Sequence, residues 1–442
     1  MTKEIRNHKI NDPFKVSGAW ASSVNDLNNK EKVFLGDFES TGEIGDLGIF
    51  EFISGLKNKG IYRNKDLYGR SLDGEFFHLY NLFGTEYQIE GQLRFGETMN
   101  LMKEHIYTTF FSVSKFLPKV HEQKWDYLIC DISYLTKWFP KLWKVSSYGI
   151  SDKTHRVGIL YSYDTAPKKE IGKFTVDNKV YTVYLKGIVE SSSEGEDDNT
   201  YKNKTVLEIH NKIDGIKEYE AIKIASAFER LFMLILGLKL NLNHVFLSND
   251  DQSISLFPLF DHKSFDLHYD EKLFRMNSIR YESIQNNIDD VIRSWFLRVP
   301  EFDNLVANYN QTLMADGTIT MDFKTLLEGI ENFFKDQHLS LKREIIAMIY
   351  DLPVTHIDIL NTKLKQFGGL QSWINKVVDT RVNLTHGTSR KRRMTNTPDI
   401  IISNLVLRSI VKCFSLQQLG YYMPVSNFCN DISEAVNRRF LV

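Results

Sequence analysis

Cysteine is nearly absent from this sequence, which has only three in 442 residues: Cys130, Cys413 and Cys429. None of them forms a Cys-x-x-Cys pair, so the pattern argues against a disulfide scaffold and against a cysteine-ligated zinc site. Such sparse cysteine usage is typical of a reducing compartment. We therefore expect a cytoplasmic protein.

Long apolar runs are also lacking. The longest covers residues 231–238, which is too short to cross a bilayer. The first residues carry no apolar core of a signal peptide, so we expect neither secretion nor a membrane partner.

Neither sign of charge is in excess, because 55 Lys and Arg face 56 Asp and Glu and the formal net charge is −1. Binding to a nucleic acid would therefore depend on a local basic patch. With 42% hydrophobic and 25% charged residues, the composition is that of a globular protein. The length predicts two or three domains.

The order of the local patterns predicts an α+β fold, with a β-rich N-terminal domain at residues 1–275 and a helical bundle at residues 276–442. Asp177-Asn178 is a two-residue turn between two β-prone runs and predicts a hairpin. The acidic segment 191–198 is expected to be an exposed loop. Other predicted strands lie around 33–35, 48–52, 76–80, 206–209 and 254–257, with one helix at 219–238.

Apolar residues recur with a helical period in the last third of the chain. Gly368-Gly369 breaks one helix, Thr397 and Pro398 predict the start of another, and Gly420 predicts its end. The periodic segments are 284–295, 323–334, 341–352 and 373–378.

One segment of the helical region carries residues suited to RNA cleavage: Arg381, Asn383 and His386, followed by the basic run Arg390-Lys391-Arg392-Arg393. Arginine binds a phosphate through a permanently charged fork, and histidine transfers protons near neutral pH. Residues five apart on a helix differ by about 140° around its axis. Gly387 offers a helix end, where the chain could turn and bring Arg381 and His386 together.

This spacing resembles the signature of HEPN domains, helical bundles of prokaryotic toxins and antiviral ribonucleases, in which an arginine precedes a histidine by four to six residues. Arg381 and His386 match its anchors. Asn383 supplies the polar residue one place later than usual, with Val382 in the expected position. The resemblance implies that Glu331, on the first core helix of the bundle, lies near the catalytic pair.

The N-terminal part resembles the sensor-like domain of ApeA-type abortive-infection proteins. The similarity lies in the segments 18–20, 73–76 and 132–138 and in a strand pair with Gly36 and Gly48. Together the resemblances imply an antiphage endoribonuclease that needs no metal or cofactor. They also imply a homodimer through the HEPN bundle, RNA as substrate (with the tRNA anticodon loop as candidate) and an N-terminal domain that senses a phage-derived trigger.

Other interpretations remain open at this point. Arg381 and His386 are also compatible with an ion pair or cap at a helix end, Arg390–Arg393 with a solvated loop, and Glu331 with a structural acid. The helical region could be a catalytically silent module for binding or dimerisation, with a ligand-sensing β-rich domain. A metal nuclease is disfavoured, because no acidic cluster with ligand spacing stands out.

Overall fold

The computed structural model describes most of the chain. The described residues are 5, 8–10, 12–42, 44–53, 66–95, 97–117, 124–139, 168–193, 199–258, 279–314, 318–387 and 392–437. The predicted domain boundary at residue 275 lies outside them, as do Arg390 and Lys391. Within the described residues, no helix is both long enough and apolar enough to cross a membrane.

The N-terminal region is dominated by one antiparallel sheet. The strands are β1 (Phe14–Ala21), β2 (Phe34–Ser40), β3 (Gly45–Ile53), β4 (Leu67–Ser71), β5 (Phe76–Tyr80), β6 (Phe83–Phe95), β7 (Glu97–Thr108), β8 (Phe110–Ser114), β9 (Tyr127–Ile132), β10 (Lys168–Val176), β11 (Lys179–Ser193), β12 (Asn199–His210), β13 (Leu242–Ser248) and β14 (Ser253–Pro258). Their order is β10-β11-β12-β9-β13-β14-β8-β5-β4-β1-β2-β3-β7-β6.

The C-terminal region is helical, and two helices precede it along the chain. The helices are α1 (Leu135–Trp138), α2 (Glu218–Leu236), α3 (Tyr281–Ile284), α4 (Ile288–Leu297), α5 (Pro300–Met314), α6 (Ile319–Phe333), α7 (Leu341–Tyr350), α8 (Val354–Lys363), α9 (Leu370–His386), α10 (Thr397–Gln418) and α11 (Val425–Asn437). A β-rich region followed by an all-helical region confirms the predicted α+β class.

The predicted hairpin is present between β10 and β11. Asp177 and Asn178 both have left-handed backbone angles, with φ of 49° and 63°, as a type I′ turn requires. The predicted start of the acidic loop at residue 191 is wrong. Ser191 and Ser193 still belong to β11 and pair with Tyr201 and Asn199 of β12. Residues 194–198 lie outside the described part.

The predicted start of α10 is one residue late. The cap is Asn396, whose side-chain oxygen accepts a hydrogen bond from the backbone N–H of Asp399 at 2.8 Å, and Pro398 lies in the first turn. Asn is a stronger cap than Thr, and its side chain satisfies a backbone donor that the helix leaves unpaired. The helix ends before Gly420, as predicted.

The N-terminal half of the sheet packs around an aromatic core. Trp20, Phe38, Phe77 and Phe111 are fully buried in it. At Gly18 a Cβ would lie 2.5 Å from the carbonyl oxygen of Arg70 on β4, which only glycine permits. The absence of a side chain at this position therefore lets β1 and β4 approach closely.

A second, larger core runs without interruption from the sheet into the helical region. The buried helix α2 connects the two, since the Trp295 indole N–H donates to the Ala227 carbonyl at 2.9 Å. Helix α4 lies against β10, where Asp289 Oδ1 accepts from the backbone N–H of Lys173 at 2.8 Å. The β-rich and helical regions therefore share one hydrophobic core.

Candidate functional site

Arg381 lies on α9 and points toward α6. Its Nη2 donates to Glu331 Oε2 at 3.0 Å, and Glu328 Oε1, one helical turn earlier on α6, lies 3.7 Å away. The Arg381 side chain is 13% exposed, and its Nε has no hydrogen-bond partner within the described part of the chain. The guanidinium is thus hydrogen-bonded to one carboxylate and at ion-pair distance from a second, while some of its donor capacity remains unused.

A third carboxyl group, that of Glu344, is influenced by the charge of Glu331. Glu344 lies in the first turn of α7, a helix packed against both α6 and α9. It is only 4% exposed, and its Oε2 has no hydrogen-bond partner among the described residues. Burial first, and then the charge of Glu331, raise the pKa of Glu344 to about 7. We call Arg381, Glu328 and Glu331 the Arg381 cluster.

His386 is the last residue of α9. Gly387 follows it with a left-handed φ of 65° and donates its N–H to the carbonyl of Asn383 at 2.9 Å, which closes the helix. The His386 side chain is exposed, and within the described residues it takes part in no hydrogen bond or ion pair. A proton donor or acceptor at this position is accessible to a substrate.

The predicted turn at Gly387 does not bring Arg381 and His386 together. The turn begins after His386, so both residues belong to one continuous helix. They therefore stay about 140° apart around its axis. Arg381 faces α6 within its own bundle, whereas His386 faces away from that contact.

The described end of the basic run, from Arg392 onward, contacts α9. Arg392 Nε donates to Asp379 Oδ2 at 3.1 Å, and the Met394 N–H donates to Thr380 Oγ1 at 2.8 Å. Asp379 precedes His386 by seven residues, so the two lie on one face of the helix about 10 Å apart. Arg392, whose side chain is 66% exposed, therefore shares a face with His386.

Of the predicted site residues, the structure joins Arg381 with Glu331 and places Arg392 on the face of His386. The Asn383 backbone serves the helix cap, and Arg393 follows Arg392 in the segment that contacts α9. Glu344 was not predicted from the sequence, because an acid in the first turn of a helix is ordinarily a solvated residue that interacts with the helix dipole. The apolar residues near it in the sequence, Leu341 and Ile345, were the feature that could have indicated its burial.

No metal centre is evident in the described ranges, where no three His, Cys, Asp or Glu side chains are grouped so that they could hold an ion. Cys130 and Cys413 are buried in the larger core. Burial raises the pKa of the Cys413 thiol to about 12, which makes it a packing residue.

Comparison with protein families identifies the N-terminal region. The family model of the ApeA N-terminal domain 1 matches residues 16–295, which is more than half of the chain. The protein belongs to this family. Membership in the ApeA N-terminal domain family supports an ApeA-like antiphage defence protein. Searches among curated proteins and among solved structures found no match.

The ApeA N-terminal domain match extends past the β-rich region into the first part of the helical region. It stops at residue 295, inside α4, and so includes Asp289, which contacts β10, but not Phe296. Arg381, His386 and the rest of the Arg381 cluster lie beyond the matched segment. Their roles therefore depend on the geometry described above and on the resemblance of the helical region.

Proposed function

We propose that this protein is an ApeA-like antiphage endoribonuclease whose helical region is a HEPN-type bundle that cleaves RNA without a metal ion. The observation that carries the proposal is helix α9, which presents Arg381 in a carboxylate cluster and the exposed His386 five residues later. The substrate 2′-OH would attack the adjacent phosphodiester. The products would be a 2′,3′-cyclic phosphate and a 5′-OH.

Arg381 would stabilise the negative charge that builds on the phosphoryl oxygens. Its ion pair with Glu331 orients the guanidinium and fixes it on α6. Donors already in place before the reaction contribute strongly to such charge stabilisation. Because the fork has five N–H donors, a phosphate could use those that Glu331 does not occupy.

His386 would transfer the protons, with Arg392 positioning the RNA backbone. The Arg392 side chain is 66% exposed, whereas that of Asp379 is 12% exposed. Asp379 accepts from Arg392 Nε, so a phosphate would bind the outer donors of the guanidinium without displacing Asp379. Arg392 and His386 share one face of α9, so a strand bound by Arg392 would pass His386.

A second copy of the chain would complete the site. Arg381 and His386 diverge by about 140° on one helix, so one copy does not aim both at the same phosphate. Two bundles paired along α9 would place His386 of one copy near Arg381 of the other. A homodimer with a shared cleft would then offer one histidine as base and the other as acid.

The test is to incubate the purified full-length protein with tRNA and with single-stranded RNA in excess EDTA. We expect fragments with 5′-OH ends that a polynucleotide kinase labels directly, and with cyclic-phosphate ends identified by mass spectrometry. DNA of the same sequence should remain intact, because it lacks the 2′-OH. Cleavage that EDTA abolishes, or fragments with 5′-phosphate ends, would contradict the proposed chemistry.

His386→Ala should lower the cleavage rate by roughly 10²–10⁴-fold, the usual contribution of a general acid or base. The fold should not change, because the ring is exposed and makes no polar contact among the described residues. Thr385→Ala, an exposed change on the same helix end, is the matched control and should cleave normally. If both variants cleave like the wild type, His386 has no role in proton transfer.

A second candidate function is a catalytically silent binding or dimerisation module. It is favoured by the low exposure of Arg381 and its engagement with Glu331, which is also what a structural ion pair would show. RNA that is bound but never cut, by wild type and His386→Ala alike, would support this alternative. The oligomeric state and the phage-derived trigger would then be the properties to pursue.

A further inference from the structure

Strands β10, β11, β12 and β9 carry a group of polar side chains on the face of the sheet that points away from the large core. Alternate residues along these strands, among them Leu185 and Leu207, point into that core. The antiparallel register places the others directly opposite one another on the second face. We call six of these residues the Glu208 face: Lys168, Tyr184, Lys186, Glu208, His210 and Tyr127.

Two lysines and a histidine converge on the buried carboxylate of Glu208. Lys168 Nζ lies 2.6 Å from Glu208 Oε1 and 2.8 Å from His210 Nε2, and His210 Nε2 lies 2.7 Å from the same carboxylate oxygen. Lys186 pairs with the other oxygen, Oε2. Burial would raise the pKa of Glu208, but the hydrogen bonds from His210, Lys168 and Lys186 outweigh it and lower the pKa to about 2. The carboxylate therefore stays charged and holds the three groups together.

The cations are more numerous than a buried carboxylate requires. On the same face Asp131 is also buried, and a single lysine, Lys204, pairs with it at 2.5 Å. Glu208 has two lysines, and these lie directly opposite each other on neighbouring strands, where like charges repel. Two lysines against one glutamate leave one positive charge in excess at this end of the face.

The acids around the Glu208 face do not cancel this excess. Glu170, on the same strand as Lys168, has a cation of its own, because Lys173 lies 3.6 Å away. At the Tyr127 end, Lys212 interacts with Asp126 and Asp250. The face is therefore polarised, and its positive end is the one that carries the two lysines.

A row of aromatic rings borders the two lysines. The centroid of the His210 ring lies 4.6 Å from that of Tyr184 and 4.6 Å from that of Tyr127. The side chains of Lys168 and Lys186 are each 29% exposed and that of His210 is 17% exposed, so a ligand can reach them. Aromatic rings beside basic groups on a sheet are suited to nucleotides, because the rings stack on a base while the cations bind its phosphate.

We propose that the Glu208 face binds a nucleotide, with the phosphate on Lys168 and Lys186 and the base against the rings of His210 and Tyr127. Lysine binds a phosphate as a point charge. Glu208 holds both ammonium groups in place before the ligand arrives, so fewer side-chain rotamers are lost on binding. A free nucleotide and a nucleotide within an RNA strand present the same phosphate and base. The site belongs to the β-rich region, and the inference does not depend on the cleavage proposed for α9.

The experiment is isothermal titration calorimetry of the full-length protein with AMP, inorganic phosphate, adenosine and a 2′-O-methyl RNA tetranucleotide, which cannot be cleaved through its 2′ position. We expect AMP to bind about tenfold more tightly than phosphate or adenosine, because only AMP uses both the lysines and the rings. A tetranucleotide that binds more tightly than AMP identifies an RNA strand as the ligand. Equal or weaker binding of the tetranucleotide identifies a free nucleotide.

Lys186→Gln should raise the Kd for AMP about tenfold, which is the usual contribution of one hydrogen bond to a charged group. Glu208 keeps Lys168 and a histidine in this variant, so the fold should be retained. Lys168→Gln is the second variant, and it should give the same loss. Lys173→Gln removes the same charge from an exposed position on β10 and is the matched control, which should bind AMP like the wild type.

Tyr127→Leu tests the base. It should weaken AMP about tenfold through the lost stacking and leave the binding of inorganic phosphate unchanged. Tyr219→Leu, which changes an exposed tyrosine of α2, is its control.

Three results would overturn the proposal. The first is that neither AMP nor the tetranucleotide binds at millimolar concentration. The second is that both bind equally well to the wild type and to folded Lys186→Gln and Lys168→Gln, which would place the ligand elsewhere. The third is that AMP binds no more tightly than inorganic phosphate, which would leave the rings without a role. None of these results decides the cleavage proposed for α9, which His386→Ala tests separately.

Discussion

Two glutamates, Glu229 and Glu344, are kept in surroundings that disfavour their charged form. Glu229 lies on the buried helix α2, where its Oε1 accepts a hydrogen bond from the Leu242 N–H at 3.0 Å. Burial raises its pKa to about 7, against the opposing effects of that hydrogen bond and of Arg230. Both groups therefore titrate near neutral pH, although only Glu344 is influenced by the charge of Glu331.

Glu229 should make the stability of the fold depend on pH. Its pKa is higher in the folded protein than the ordinary 4.5, so its contribution is fully present below about pH 4.5 and is lost as the pH rises through 7. Glu229→Gln keeps an acceptor for Leu242 and cannot ionise. Relative to wild type, it should gain up to about 3 kcal/mol at pH 8.

Denaturant midpoints at pH 5, 6.5 and 8 would check this expectation. The midpoint of Glu229→Gln should fall less with pH than that of the wild type, and the remaining slope should include the part due to Glu344. If wild type and Glu229→Gln lose stability in parallel, Glu229 does not titrate in this range. The carboxylate that accepts from the Leu242 N–H would then already be ionised at pH 5.

At the scale of elements, the sequence predicted the turns and helices that depend on residues close together in the chain. The Asp177-Asn178 turn was visible because few residues adopt two consecutive left-handed conformations. Helices α2, α4, α6, α7 and α9 could be predicted because their apolar residues recur with a helical period. Helix α8 was missed, because Val354–Lys363 interleaves apolar and polar residues with little amphipathic separation.

Contacts between distant parts of the chain could not be predicted in this way. Strand β9 lies between β12 and β13, and β8 lies between β14 and β5, although these partners are far apart in sequence. The contact of Arg381 with Glu331 spans 50 residues and was expected only from the family resemblance. Glu344 was not foreseen, because its burial results from how α6, α7 and α9 pack.

The close pairing of β1 with β4 gives a prediction at this scale. Gly18→Ala would place a Cβ 2.5 Å from the backbone oxygen of Arg70, and no side chain can move to relieve that contact. The strands must separate, at a cost of about 1–3 kcal/mol. The thermal midpoint should fall accordingly. Ala19→Ser, on the opposite face of β1, is the control and should melt near the wild-type temperature.

At the scale of the whole molecule, the shared core limits how independently the two regions can behave. Trp295 reaches α2, and Phe296 stacks on Phe174 of β10 with ring centroids 3.8 Å apart. The family match also continues into α4. A ligand bound to the β-rich region could therefore shift the helical region through α2 and α4, which is a physical route for the expected regulation.

The same shared core predicts that residues 276–442 will not fold on their own. Separating them from the rest removes α2 and β10, and leaves Trp295 and Phe296 without their packing partners. Each such aromatic contributes several kcal/mol when buried, so the fragment should aggregate or show a broad, uncooperative thermal transition. Size-exclusion chromatography and circular dichroism of the fragment, beside the full-length chain, would measure this. A soluble, monodisperse fragment with a cooperative helical transition would contradict the prediction. It would show that the helical region is an independent unit, in which cleavage with and without residues 1–275 can be compared directly.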